Sequence, residues 1–494
     1  MEEADERIAR MAFVVTAVIA AFLHWIPHFP PQIDVSQHAA QMQMLRDWQR
    51  PDFAYRDILE LNFFTPYLPA YLLGAALSFL VPTVIASKIV WTLGSLGTVY
   101  ATVRLRRLLG GPAYWDWLVL PGLFGETFFW GFLTFHFTVP LGLFALEYWI
   151  RYLRAPTVRR GIAFGIGLML LFFSHSLMTA WVMLVCGCTV LADWKLSFRN
   201  WRRLVALGLP LLAPLPLMLV WLVFISGTSQ TQAPAAWFTL AFRFGAFFAQ
   251  LIGLPIGYVG VSVLGLALFG APFLAGARIR RDPVHEIPLL VTLAIVLFGP
   301  ANLFGNTLTS SRFFSLVGPA AVIALSGAAP LNGRRALVRY AVPVLTLLTV
   351  VGIAATMVAF SREQADFQRI AVHIPPERRI LAVVTDGSST ALRSRFSYVH
   401  FPAWYQAEHG GMVEFNFADN FPMIVRFRAS YTGGVSQTFA TDQDRDWAGI
   451  DAARFDYILV RGISPDVAPI DDVPGTLAAH EGTWWLYAPR PPLR

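Results

Sequence analysis

The sequence has little charge and almost no cysteine. Charged residues make up 14% of the chain and hydrophobic residues 56%, whereas a soluble domain has roughly a quarter of its residues charged. This balance excludes an ordinary soluble protein over most of the length and predicts segments that face lipid. Cys186 and Cys188 are too close in sequence for a relaxed bridge. Residues 361–494 have no cysteine, so we expect no disulfides to stabilise them.

The net charge of +7 could indicate a nucleic-acid binder, but the basic residues are unevenly distributed. Residues 1–360 carry 25 Lys and Arg against 15 Asp and Glu, whereas residues 361–494 carry 13 against 16. The excess of basic residues lies in short loops between apolar segments, which is the positive-inside pattern of membrane proteins. We therefore expect membrane lipid as a partner, and no nucleic acid.

Five basic clusters mark predicted cytoplasmic loops, and an even number of spans must lie between consecutive clusters. They run over Arg104–Arg107, Arg151–Arg160, Lys195–Arg203, Arg278–Arg281 and Arg334–Arg339. This parity predicts a polytopic, mainly α-helical bundle of about 11 transmembrane helices. The N-terminus would be cytoplasmic and the C-terminus extracytoplasmic. The predicted spans are 10–26, 83–103, 113–130, 132–150, 161–175, 177–193, 204–225, 255–276, 286–302, 313–331 and 341–359.

Residues 63–81 are also apolar, but parity leaves no room for them as a span. They begin with Pro66 and Pro69 and fit a helix that lies at the outer face or dips into it. The first outer loop then covers residues 27–82 within a membrane domain of residues 1–360.

Residues 361–494 have no apolar segment long enough to span a membrane and predict a small soluble, extracytoplasmic α/β domain. RILAVVTD at 379–386 predicts a buried strand, DYILVRG at 456–462 a second, and residues 481–489 a closing strand. No GxGxxG, phosphate-loop or metal-finger spacing occurs in this part.

The first outer loop contains Asp34 and His38, which would share one face of a helix. The pair could bind a divalent cation such as Mg²⁺ or Mn²⁺, or Asp34 could accept a proton from a hydroxyl. Alternatively, Asp34 caps the helix VSQHAAQMQMLRDW and His38 is hydrogen-bonded or solvated. Asp57, in the same loop, is a candidate substrate contact or a solvated charge.

Further polar candidates lie near the predicted outer ends of spans. Glu126 and His175 could line a cavity at one membrane depth, or be satisfied residues between helices. Arg312 lies where the positive-inside rule does not expect an arginine, so it could bind a lipid-linked phosphate through its planar fork. The alternative is an interfacial arginine among lipid headgroups. Arg243 is a weaker candidate of the same kind.

This layout resembles the GT-C superfamily of membrane glycosyltransferases, including protein O-mannosyltransferases and aminoarabinose transferases. The resemblance rests on a first helix at 10–26, a long outer loop with Asp34 soon after it, the proline-led stretch TPYLPAYLLGAALSFL, and the span SKIVWTLGSLGTVYATVRLRRL ending in basic residues. Many members have paired acidic residues where this chain has Asp34, Val35 and His38.

The resemblance implies a transferase of the inner membrane. Its donor would be a polyprenyl-phosphate-linked sugar and its acceptor a glycan, lipid or protein on the extracytoplasmic face. Asp34 would draw the acceptor proton and Arg312 would hold the donor phosphate, with the other candidates around the substrate. Two other classes stay open: a transporter or flippase of a lipid-linked saccharide, and a non-catalytic membrane scaffold presenting residues 361–494.

Overall fold

The computed structural model describes residues 2–192, 201–225, 234–303, 306–327, 334–420, 422–431, 451–462 and 473–489. The predicted cluster residues Lys195 and Arg199 lie outside this part of the chain. Contacts between residues divide the protein into two compact units. The helical unit comprises Met1–Leu23 and Trp91–Ala354, and the loop–tail unit comprises His24–Val90 and Ala355–Arg494.

The described part of the chain is mainly helical, as predicted. Its helices are α1 Glu2–Phe22, α2 Val35–Asp47, α3 Leu68–Leu77, α4 Thr83–Leu108, α5 Glu126–Trp130, α6 Leu133–Arg154, α7 Val158–Ser174, α8 Ser176–Ala192, α9 Trp201–Leu212, α10 Leu215–Ile225, α11 Leu240–Gly245, α12 Phe247–Ile252, α13 Gly257–Leu274, α14 Pro283–Phe298, α15 Phe314–Ala324, α16 Arg334–Glu363, α17 Ala365–Ala371 and α18 Ala403–His409.

Six helices of the described ranges are long and apolar enough to cross a membrane, and several apolar helices are shorter. Their outward side chains are apolar: Val223 is 74% exposed, Val259 80% and Leu266 63%. Such surface is unfavourable in water and suits hydrocarbon. The protein is therefore a multi-pass membrane protein.

The predicted span at 113–130 is not one continuous helix. The structure has short 3₁₀ turns at Ala113–Val119 and Pro121–Phe124 and then the single turn α5. Pro121 cannot donate a helical hydrogen bond, and Gly131, at φ 80°, closes α5 in the left-handed region. Hydropathy predicted an apolar segment here, but it did not reveal that Pro121 and Gly131 interrupt the helix.

In chain order the strands of the described residues are β1 Leu59–Leu61, β2 Arg278–Ile279, β3 Leu325–Ser326, β4 Arg379–Val384, β5 Met412–Val413, β6 Val425–Phe427, β7 Tyr457–Arg461, β8 Thr476–Glu481 and β9 Trp484–Ala488. The loop–tail unit contains a five-stranded mixed sheet in the order β5-β4-β7-β9-β8. Strand β4 pairs in parallel with β5 and β7, whereas β9 is antiparallel to β7 and β8. The strands predicted at 379–386, 456–462 and 481–489 correspond to β4, β7 and β9.

The first outer loop folds together with this sheet domain. Strand β1 of the loop pairs antiparallel with β6 of the tail, Leu59 opposite Phe427 and Leu61 opposite Val425. Helix α2 packs against α18 of the tail and α3 of the loop. The unit that contains Asp34 is therefore built from two segments far apart in the sequence.

A buried carboxylate fixes the tail next to β5. Glu414 is fully buried and accepts hydrogen bonds from the Arg379 guanidinium and, at 2.8 Å, from the Tyr431 hydroxyl. Burial and, after it, the hydrogen bond to Glu414 raise the pKa of Tyr431 to about 12. Because a buried charge is costly unless it is paired, this network holds the segment that leads into Phe415.

Candidate functional site

Asp34 lies directly before α2, and a histidine of the tail holds its carboxylate. Asp34 occupies the cap position with φ −85° and ψ −13°, and its side chain makes no capping hydrogen bond. Instead, its Oδ1 lies 2.9 Å from Nδ1 of His400. No donor from the described residues contacts Oδ2. The carboxylate therefore does not cap the helix, and one of its oxygens is available to accept a proton.

His400 is itself firmly held. Its ring packs against Phe415 and Phe417, with centroid distances of 5.3 and 5.5 Å. The hydroxyl of Ser36 donates to its backbone carbonyl at 2.7 Å. Its Nε2 is buried and has no partner among the described residues. Because a carboxylate oxygen can only accept a hydrogen bond, Nδ1 of His400 is assigned as the donor to Asp34.

His38 lies on the same face of α2 as Asp34, as their spacing predicts. Its Nδ1 is 2.6 Å from the hydroxyl of Tyr71, which donates to the sulfur of Met423 at 3.2 Å. The edge of Phe417 packs against the ring of His38. We call the group of Asp34, His38, Tyr71, His400 and Phe417 the Asp34 cluster.

The predicted cation site would use Asp34 and His38 as ligands. Both side chains form hydrogen bonds, to His400 and Tyr71 respectively. Within the ranges the structure covers, no group of three or more His, Cys, Asp or Glu side chains could hold a metal ion. A cation at this position would therefore have to compete with both hydrogen bonds for these two side chains.

Two glutamines explain why the polar helix α2 is buried. Gln37 donates to the carbonyl of Phe415 and accepts from the amide of Phe417, both at 2.9 Å. Gln41 donates to the carbonyl of Val425 at 2.9 Å and accepts from its amide at 3.0 Å. A buried amide group is costly unless it is hydrogen-bonded, and each glutamine is satisfied by backbone of the tail. These bonds orient the face of α2 that carries His38.

Two charged residues of the loop–tail unit lie in opposite environments. Asp57, predicted to contact substrate, lies exposed in a turn before β1. Lys88 was not predicted as a site residue. It is 3% exposed within α4, and its Nζ donates to the carbonyl of Pro27 at 2.9 Å. A lysine inside an apolar segment was a usable signal, because such charges are rare unless they are paired or functional.

Arg312 of the helical unit lies flat against an aromatic ring. Its guanidinium carbon is 3.9 Å from the centroid of Phe132, and Nη2 donates to the carbonyl of Thr307 at 3.3 Å. The hydroxyl of Thr127 donates to the Arg312 carbonyl at 2.9 Å. The stacked fork is pre-oriented, which lowers the entropy cost of binding a planar or phosphate oxyanion.

Glu126 and His175 lie in the same region of the helical unit as Arg312. Glu126 accepts a hydrogen bond from the indole nitrogen of Trp130 at 2.8 Å. The next residue, Thr127, is the one that contacts Arg312. The ring of Phe135 packs edge-on against His175 at 5.1 Å and against Phe313 at 5.3 Å. Together with Phe132 these residues form the Arg312 cluster, at the start of α6.

Arg243, the weaker phosphate candidate, is buried and binds backbone instead. It is 2% exposed. Its guanidinium donates to the carbonyl of Val296 at 2.8 Å and to that of Gly299, at the C-terminal end of α14. Helix ends carry carbonyls without intrahelical partners, and cations suit them. Arg243 therefore closes the C-terminal end of α14 through backbone carbonyls.

The solved structures that are similar to this chain over nearly its whole length include two of one protein. The crystal structure of ArnT from Cupriavidus metallidurans bound to undecaprenyl phosphate is 14% identical, with a TM-score of 0.53 and coverage of 97% of each chain. Its apo state is 12% identical, with a TM-score of 0.50 and coverage of 98% of each chain. The chain has an ArnT-like fold. This likeness confirms the GT-C-type architecture predicted from the sequence.

At these identities the shared fold is what the comparison establishes. No family model matches the chain, and no curated protein matches it by sequence. Within the GT-C-type fold, the Asp34 cluster supplies an oriented carboxylate with one open oxygen, and the Arg312 cluster supplies a stacked guanidinium. A carboxylate of this kind can accept a proton, and such a guanidinium can bind an oxyanion.

Proposed function

We propose that this protein is a membrane glycosyltransferase that moves a sugar from a polyprenyl-phosphate-linked donor to an acceptor on the extracytoplasmic face of the inner membrane. The observation that carries the proposal is the Asp34 carboxylate, held by His400 through Oδ1 with Oδ2 open. The ArnT-like fold supports it, because one of the similar ArnT structures has undecaprenyl phosphate bound.

The reaction is a displacement at the anomeric carbon of the donor sugar. The acceptor hydroxyl attacks this carbon as Oδ2 of Asp34 takes its proton, and a new carbon–oxygen bond forms on the opposite face to the phosphate. The bond between the sugar and the phosphate breaks, and the polyprenyl phosphate leaves with the electron pair. A positioned general base contributes about 10²–10⁴-fold to such a proton transfer. The product has inverted configuration.

His400 serves as a positioning residue in this scheme. By donating to Oδ1 it keeps that oxygen occupied and turns Oδ2 towards the acceptor, while Phe415 and Phe417 restrict the imidazole. A small misplacement of a reacting group is expensive, on the order of a hundredfold for about 1 Å. The hydrogen bond to His400 therefore acts on the turnover step rather than on donor binding.

Arg312 is proposed to bind the phosphate of the lipid-linked donor and to stabilise the charge that develops on it as it leaves. Its stacking on Phe132 supports this role, since the ring fixes the plane of the fork. His38, Asp57, Glu126 and His175 remain predicted substrate contacts. A requirement for Mg²⁺ or Mn²⁺ also remains a prediction, which chelation followed by re-addition of each ion tests.

The decisive assay distinguishes chemistry from transport. Purified protein in detergent receives undecaprenyl phosphate linked to a radiolabelled sugar, together with a mixture of envelope glycans and lipids as acceptors. A transferase releases undecaprenyl phosphate and moves the label to an acceptor. A flippase or a scaffold leaves the sugar–phosphate bond intact, and that result with folded protein would rule out the proposed reaction.

A further inference from the structure

A basic cavity in the helical unit is not used by the proposed reaction. It has a volume of about 440 Å³ and opens between the ends of α4, α6 and α7. Its lining is made of Leu108, Tyr148, Arg151, Arg154 and Arg160. The three arginines belong to one of the basic clusters that the positive-inside rule assigns to the cytoplasmic surface, and Leu108 directly follows another.

Several arginines near this cavity form ion pairs with acidic side chains. Arg104 and Arg151 both pair with Glu147 at 2.8 Å. Arg106 forms a two-point pair with buried Asp116, at 2.9 and 2.8 Å. Through these ion pairs the three arginines hold α4, α6 and the turn that contains Asp116 together.

The other two arginines of the lining form no such pair among the described residues. Arg154 donates to the carbonyl of Leu108 at 3.3 Å, and Arg160 donates to that of Ala155 at 2.9 Å. Among the described residues neither forms an ion pair with an acidic side chain. Each guanidinium has five N–H donors, so both can bind an anion without giving up these contacts.

An apolar stripe on α7 begins beside the cavity. Its residues follow one another at intervals of four, which places them on one face of the helix. They are strongly exposed: Val158 80%, Ile162 60%, Ile166 53% and Leu170 65%. The cavity therefore combines positive charge at its mouth with a continuous hydrophobic surface that leads away from it.

We propose that this cavity binds the phosphate of an anionic glycerophospholipid, whose acyl chains lie along the α7 stripe. Arginine forks match phosphate oxygens in two-point hydrogen bonds, and basic pockets between helices on the cytoplasmic side suit anionic headgroups. Arg154 and Arg160 hold the headgroup, and the stripe distinguishes a lipid from a soluble phosphate. The site would tie α6 and α7 to the surrounding membrane.

The test uses the full-length protein, delipidated in a neutral detergent. Binding of phosphatidylglycerol is measured by native mass spectrometry and by the shift in Tm, with phosphatidylcholine and soluble glycerol phosphate as comparison probes. The variants are Arg154→Gln and Arg160→Gln. The matched control is Arg159→Gln, which removes an exposed arginine of the same turn that does not line the cavity.

We expect phosphatidylglycerol to bind and to raise Tm more than either comparison probe. Each cavity variant should weaken this binding on the order of tenfold, because it removes charge-assisted hydrogen bonds, and the control should bind as wild type does. Equal phosphatidylglycerol affinity in all variants would overturn the proposed site. An equal effect from glycerol phosphate would overturn the lipid and identify a free-phosphate site instead.

Discussion

The side-chain amide of Gln41 binds both backbone groups of Val425. Nε2 donates to the Val425 carbonyl and Oε1 accepts from the Val425 amide, with both residues fully buried. Gln41 of the first loop thus makes two backbone hydrogen bonds with β6 of the tail that a neighbouring strand could otherwise make. This contact shows why the loop and the tail form one compact unit.

Gln41→Ala should destabilise the loop–tail unit. The substitution leaves the amide and carbonyl of Val425 buried without their partner, at about 1–3 kcal/mol for each group. We expect a lower Tm and faster hydrogen exchange at the Val425 amide. The control Gln49→Ala removes an exposed glutamine two residues beyond α2 and should change neither. Unchanged exchange in Gln41→Ala would contradict the contact.

His400→Ala should lower kcat about tenfold to a hundredfold and leave the KM for the lipid donor unchanged, because the histidine orients Asp34 without binding donor. His400→Asn should recover part of the loss, since its side-chain amide can donate from a position near that of Nδ1. Steady-state kinetics check this, with exposed His373→Ala as the control. A rise in KM with unchanged kcat would assign His400 to substrate binding instead.

Arg312→Gln should raise the KM for the polyprenyl-linked donor by roughly tenfold or more, the cost of charge-assisted hydrogen bonds to a phosphate. Arg312→Lys should recover only part of this affinity, because an ammonium keeps the charge but not the planar stack on Phe132. Exposed Arg395→Lys serves as the control. Donor affinity that is the same in all three variants would remove Arg312 from the site.

Hydropathy and charge predicted the helices and strands whose formation depends on a local sequence pattern. The long apolar helices α4, α6 and α16, and the buried strands β4 and β7, agree with the prediction because each has its own periodicity or apolar run. The position of helix α2 was predicted, but its burial was not. Gln37 and Gln41 suggest a solvated helix, and their backbone partners lie more than 370 residues away.

A long separation in sequence also explains why His400 was not predicted as part of the site. His400 lies 366 residues from Asp34 in the sequence, and the segment SYVHFPAW gives no local sign that its histidine contacts a carboxylate. The sequence predicted Asp34 as the residue to examine. Only the fold revealed that its carboxylate is oriented by the tail rather than by the helix it precedes.

The role of Asp34 as general base is tested by the rate of undecaprenyl phosphate release from the sugar-linked lipid in wild type and in Asp34→Asn. The control is Asp52→Asn, which removes an exposed acid of the same loop. We predict a loss of about 10²–10⁴-fold in Asp34→Asn, with unchanged Tm, and wild-type release in the control. Full release by folded Asp34→Asn protein would contradict this role of Asp34.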